Sequence, residues 1–242
     1  MDHRPYIREV PGSKKAVLMI HGICGTPRHF DIFLPYIPQD WSVYNILLDG
    51  HGGSVDNFSH SSMEKWRNQV ADQLDALYQH YDQIILVAHS MGCLFCLQEA
   101  VTRPEKIRAM FLLQVPLRPR LKLRYGFYSV LLTFGIVPKS AVDMSRGSSL
   151  TLTPLLWKYL GWLPRFLELF AESRRTRCVL PHVAVPCRIY QSARDEMVST
   201  RSLVDLQSNS LLEISVLPES GHFGYHGADL QKLQADFASL FQ

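Results

Sequence analysis

The stretch that most constrains this chain is Ile84-Ile85-Leu86-Val87-Ala88-His89-Ser90-Met91-Gly92-Cys93. A continuous apolar run bounded this way reads as a buried strand. It leads directly into Ala88-His89-Ser90-Met91-Gly92, with a small residue two positions either side of the serine. Cys93 to Val101 then reads as a helix. A strand-to-helix turn this tight admits only small side chains at the flanking positions. It pushes the Ser90 hydroxyl out at the carboxyl end of the strand. The helix starting there leaves unpaired amides, that of Met91 among them, pointing where an oxyanion would form. The competing reading is a buried serine in an ordinary strand–helix turn. Strand, turn and helix in that order favour the exposed nucleophile.

The rest of the chain alternates around this element. Ala16 to Ile20 is a short buried strand ending at His21-Gly22-Ile23-Cys24-Gly25-Thr26-Pro27, with a helix expected from about Pro27 to Leu34. Val43 to Leu48 is a strand ending at Asp49-Gly50-His51-Gly52-Gly53-Ser54. Ser61-Ser62-Met63-Glu64 offers a capping box, and Trp66, Val70, Leu74, Leu77 and Tyr78 recur at helical spacing. Ile107 to Val115 is a further strand. Val185 to Tyr190, Ser199 to Gln207, Leu212 to Leu217 and Asp229 to Phe241 then read as strand, helix, strand and closing helix. Such alternation implies an α/β fold, a mostly parallel central sheet flanked by helices. Between Pro116 and Pro181 it stops. Prolines and glycines interrupt apolar stretches such as Phe127 to Leu132, and Trp157, Trp162, Phe166 and Phe170 cluster. The expected organisation is a core of residues 1–115 and 182–242 carrying a small helical lid insertion at 116–181.

A serine hydroxyl needs a base to become a nucleophile. In open α/β sheets the candidates lie beyond the carboxyl ends of strands. His222 follows the last strand, and Asp195 follows the one before it, placed to hold an imidazole in one tautomer. Chain order is then Ser90, Asp195, His222. His21 and His51 also follow strands, but glycine-rich surroundings mark them as loop-positioning residues. His89 should point away from the hydroxyl, and Asp49 belongs to a glycine-rich turn. Glu196 adjoins Asp195, and since neighbouring side chains diverge only one of the two should serve. No carboxylate follows the strand ending at Val115.

Together His21-Gly22-Ile23, the Ala88-to-Gly92 pentapeptide, the Asp195 loop and Ser220-Gly221-His222 resemble the α/β-hydrolase superfamily. The insertion and the H-G-I-C-G-T and D-G-H-G-G-S loops are similar to those of bacterial carboxylesterases and monoacylglycerol lipases. The resemblance covers nearly the whole chain outside the insertion. It implies Ser90 as nucleophile, His222 as general base then acid, Asp195 as orienting acid, and the backbone amides of Ile23 and Met91 as oxyanion hole. It implies no metal and no organic cofactor. Ala88 departs from the glycine usual at that position.

Composition limits the alternatives. At 242 residues and 47% hydrophobic the chain can bury a full core. A net charge of +3 gives no reason to expect nucleic acid. No apolar run reaches the length of a membrane span, the nearest being Phe127 to Val137, and no signal peptide is read at the start. Five cysteines without framework spacing suggest free thiols and a cytoplasmic protein. Cys93-Leu94-Phe95-Cys96 is a C-x-x-C, but inside the helix it reads as packing rather than redox chemistry. The basic run Arg118 to Arg124 reads as a solvated lid edge rather than a membrane contact. The expected substrate is a small-molecule carboxylic ester with a short-to-medium acyl chain, including monoacylglycerols. Two alternatives stand beside it. One is a peptidase or amidase using Glu219 or Glu172 to receive an amine; the other is a non-catalytic ligand receptor on the same fold. Oligomeric state is left open.

Overall fold

The apolar runs pair with one another as the alternation requires. The computed structural model describes residues 3–120, 134, 136 and 148–242. It contains one seven-stranded sheet in the order β1-β3-β2-β4-β5-β6-β7. The strands are β1 (Tyr6–Arg8), β2 (Lys15–Ile20), β3 (Ser42–Ile46), β4 (Gln83–His89), β5 (Ile107–Leu113), β6 (Cys187–Ser192) and β7 (Leu212–Leu217). Only β1 runs antiparallel to its neighbour. The carboxyl ends of β2 to β7 therefore share one rim.

Side chains alternate along each strand and so sort into two cores. Ala16, Leu18 and Ile20 of β2 join one apolar cluster, whereas Val17 and Met19 join the other. Among the described residues the α-helices are α1 (Val55–Ser59), α2 (Met63–His80), α3 (Met91–Thr102), α4 (Leu163–Val179), α5 (Arg201–Leu206) and α6 (Gly227–Ala238). α2, α3 and α4 cover the first face, and α6 covers the second through Leu233 and Phe237. Cover on both faces explains why Ile84 to Ala88 is buried residue after residue instead of every second one.

Several expectations are corrected. The Pro27–Leu34 helix is two 3-10 turns, Pro27–Phe30 and Leu34–Tyr36. Pro35 and Pro38 lack the amides that would bond back to residues 31 and 34. The capping box expected at Ser61–Glu64 does not form. Ser62 is the cap, accepting from the Lys65 amide, while the Ser61 hydroxyl is buried with no hydrogen-bond partner among the described residues. A reciprocal box does exist at Ser54 and Asn57, opening α1. The edge strand β1 was not expected. Strand and helix ends elsewhere shift by a few residues, and Leu212–Leu217 matches as read.

The described part of the insertion includes a 3-10 segment, Leu156–Trp162, running into α4. α4 is anchored by Glu172, whose buried carboxylate accepts from Arg67 at 3.1 and 2.8 Å and from Gln98 at 2.8 Å. Of the basic run, Arg118 forks onto Asp205 at 2.7 and 2.8 Å and Arg120 reaches the Ser199 hydroxyl. Residues 121–124 and the Phe127–Leu132 stretch lie outside the described residues, as does most of Phe127–Val137. Among the described residues no helix is long and apolar enough to cross a membrane.

Candidate active site

β4 delivers Ser90 to the rim in a conformation that few L-residues adopt. Its φ is 52° and ψ −122°, a region that costs on the order of 1–3 kcal/mol and persists only where the surroundings impose it. They do so here. The Ser90 amide is held by the Leu113 carbonyl at 2.8 Å, and the chain must then turn at once into α3. A Cβ on Gly92 would lie 2.3 Å from the Ile20 carbonyl oxygen, and one on Gly22 would lie 2.8 Å from Ser90 Cβ. Gly92 of the turn is thus required by backbone contact, whereas Ala88 accommodates its methyl group in full burial.

The loops after β6 and β7, on the same rim, bring the other two expected side chains to this serine. His222 Nε2 lies 3.1 Å from Ser90 Oγ, and His222 Nδ1 lies 2.8 Å from Asp195 Oδ2. The other carboxylate oxygen of Asp195 accepts from the amides of Met197 and Val198, each at 2.7 Å. Those bonds fix the carboxylate plane. Asp195 can hold Nδ1–H and leave Nε2 as the acceptor that faces the hydroxyl.

His21 and His51 are backbone staples. His21 Nε2 accepts from the Leu48 amide at 3.1 Å and its Nδ1–H donates to the Gly22 carbonyl. His51 Nε2 accepts from the Cys24 amide at 3.1 Å, and its Nδ1–H donates to Asp49 O. The loop they support turns between Gly22 and Gly25, with Cys24 at φ 56°. None of these bonds uses the amide of Ile23. The Met91 amide opens α3 and so lacks an intrahelical acceptor. Asp49 is exposed, its carboxylate 3.7 Å from Lys65 Nζ and its carbonyl accepting from Trp66 Nε1 at 2.7 Å.

Three contacts escaped the reading of the sequence. His89 was expected only to stay clear of the hydroxyl, but its Nε2–H donates to the His222 carbonyl at 2.9 Å. Glu196 does not diverge; its carboxylate accepts from the His222 amide at 3.1 Å. Gln114, at φ 57°, bonds both the amide and the hydroxyl of Ser192, at the end of the strand that leads to Asp195. Residues remote in sequence make these contacts, and no local pattern signals them. Cys93 and Cys96 are free and buried, and burial pushes both thiols well above the ordinary range. Glu172, considered as an amine receptor, is already paired with Arg67.

Burial makes several of these imidazoles resist protonation, that of His21 and His89 strongly, while that of His51 is held down to about 4 against an ordinary 6.5. On acidification the unfolded chain takes up these protons before the folded one. Stability present above about pH 6.5 is therefore lost as pH falls, for His51 toward about 4. Urea midpoints should drop steadily from about pH 7 to about pH 5. A flat midpoint over that range contradicts neutral, buried staples.

A mostly parallel sheet with a serine at the strand–helix elbow after β4, and the acid and histidine beyond the ends of β6 and β7, defines an α/β-hydrolase-fold protein. The alpha/beta hydrolase family model matches residues 17–231, and the chain belongs to that family. A curated relative, the pimeloyl-[acyl-carrier protein] methyl ester esterase of Neisseria meningitidis serogroup C / serotype 2a, is 32% identical over 107 residues. That match covers 43% of this chain and 38% of the relative, so the chain spans well under half the length of the curated relatives it matches. Among solved structures, one reported with the metagenome-derived lipolytic enzymes LipS and LipT has a TM-score of 0.75 at 20% identity, covering 99% of this chain and 97% of that one. The monoacylglycerol lipase of Paleococcus ferrophilus has a TM-score of 0.67 at 16% identity, covering 99% of this chain and all of the other. At these identities the likeness is one of fold.

Proposed function

We propose that the protein is a serine carboxylesterase with Ser90 as nucleophile, His222 as general base then acid, and Asp195 as orienting acid. The observation that carries this reading is the continuous hydrogen-bonded path from Ser90 Oγ through the His222 ring to Asp195. The esterase name of the partly matching relative supports the same chemistry. Ser90 attacks the ester carbonyl while His222 Nε2 takes its proton, and Asp195 stabilises the resulting imidazolium. The tetrahedral oxyanion is received by the amides of Ile23 and Met91, where loss of one donor typically costs ~3–4 kcal/mol. His222 protonates the departing alcohol. Water then enters, loses a proton to the same nitrogen, and releases the acid.

The reading extends to the division of the chain into a core, 1–115 and 182–242, and an insertion at 116–181. In the described part of the insertion Leu160, Leu163 and Leu167 are exposed. This apolar content favours esters of short-to-medium acyl chains, monoacylglycerols included. Hydrolysis rates across p-nitrophenyl esters of increasing acyl length test it. The expected result is a kcat/KM that climbs beyond acetate and peaks at short-to-medium length. A flat profile, or a preference for acetate alone, contradicts an apolar acyl site.

A further inference from the structure

The base of this site sits on a segment with no helix or strand of its own, between β7 and α6. Such a segment needs its polar backbone groups held if the imidazole is to stay within about half an ångström of a working position. Ser220 is held from one side: the buried Asp229 carboxylate accepts from the Glu219 amide, the Ser220 amide and the Ser220 hydroxyl, each at 2.8 Å. His222 itself is held by the two strand ends it has to serve. Its amide donates to Glu196 Oε2 at 3.1 Å, and its carbonyl accepts from His89 Nε2–H at 2.9 Å.

We infer that His89 and Glu196 are positioning residues that clamp the main chain of His222, registering its ring between Ser90 and Asp195. This deepens the esterase reading and, for its kinetic consequences, rests on it. The arrangement follows from chain adjacency. His89 precedes the nucleophile and Glu196 follows the orienting acid. Each strand end thus supplies one side chain to the reaction and the next to the backbone of the base. Side chains of adjacent residues usually part company, but the longer arm of Glu196 turns back over Gly221. A Cβ on Gly221 would stand 3.2 Å from Glu196 Oε1, so the glycine leaves the passage open. His89 is buried and stacked at 3.9 Å on the ring of His29, which fixes the plane in which it donates. With the peptide groups on both sides of the His222 Cα tied down, the ring turns only about its own side-chain bonds. Asp195 then halts that rotation at Nδ1. If either tie is released, Nε2 can drift from Oγ and the Nδ1–Asp195 bond loosens with it.

The test compares folded Glu196→Ala, Glu196→Gln and His89→Phe variants with wild type, by ester kinetics and by the downfield NMR signal of the His222 Nδ1 proton. Glu196→Ala should lower kcat by about 10- to 100-fold with KM little changed, since misplacement of about 1 Å has that effect. Glu196→Gln keeps an acceptor and should recover to within about fivefold of wild type, a neutral acceptor being weaker than a carboxylate. His89→Phe, which keeps a ring but no donor, should behave like Glu196→Ala. In an Asp195→Asn background the Glu196→Ala effect should shrink, because both act through one imidazole. The Nδ1 proton signal should broaden or shift in Glu196→Ala and return in Glu196→Gln. An unchanged kcat and signal in folded Glu196→Ala overturns the clamp, as does a loss confined to KM or a Gln variant no better than Ala. If wild type cleaves no ester yet the signal still responds as described, the esterase reading fails and the clamp stands.

Discussion

Ser90→Ala is expected to lower ester turnover by on the order of 10⁴- to 10⁶-fold, the range seen when a serine nucleophile is removed. The fold should survive. The residue is 5% exposed and its hydroxyl bonds to His222, which keeps Asp195 at its other nitrogen. Alanine tolerates the φ of 52° about as well as serine does, since the clash in that region involves the Cβ that both share. Thermal unfolding within a few degrees of wild type should therefore accompany near-complete loss of turnover. Retained hydrolysis by the purified variant would place the nucleophile elsewhere.

The second large effect is expected at Gly92. Its added methyl group would face backbone on two sides, 2.3 Å from the Ile20 carbonyl oxygen and 2.9 Å from that of His21. No rotamer relieves such a contact, so β2 and the start of α3 must separate. Overpacking of this kind costs about 1–3 kcal/mol, and more where main chain has to move. The same displacement carries the Met91 amide away from its position beside Ser90. Gly92→Ala should thus lower both the urea midpoint and kcat/KM, whereas Ser90→Ala lowers only the latter. A Gly92→Ala protein of wild-type stability and activity would show that β2 and α3 do not pack this closely.

The elbow was legible because every local signal around it agrees: an apolar run in β4, small residues at the turn, and a helix-forming stretch beyond. Asp195 and His222 were legible because parallel topology gathers strand ends on one rim, whatever their separation along the chain. The glycine-flanked His21 and His51 betrayed their loop-holding role through their surroundings. β1 was not legible. Tyr6-Ile7-Arg8 carries no periodic pattern and becomes a strand only by pairing with residues 43–45. Nor was the breakdown of the helix expected from Pro27, which gives way to 3-10 turns where proline amides are missing. Glu196 and His89 were misjudged or overlooked for one reason. Their partner, the backbone of His222, is 26 and 133 positions away, and no short window contains it.

Covalent labelling of the native protein with a fluorophosphonate, followed by peptide mass mapping, bears most directly on the proposed triad. The expected result is a single adduct on Ser90, formed rapidly in wild type and slowed by several orders of magnitude in His222→Ala. An adduct on another residue, or none on Ser90 while ester hydrolysis proceeds, would contradict it.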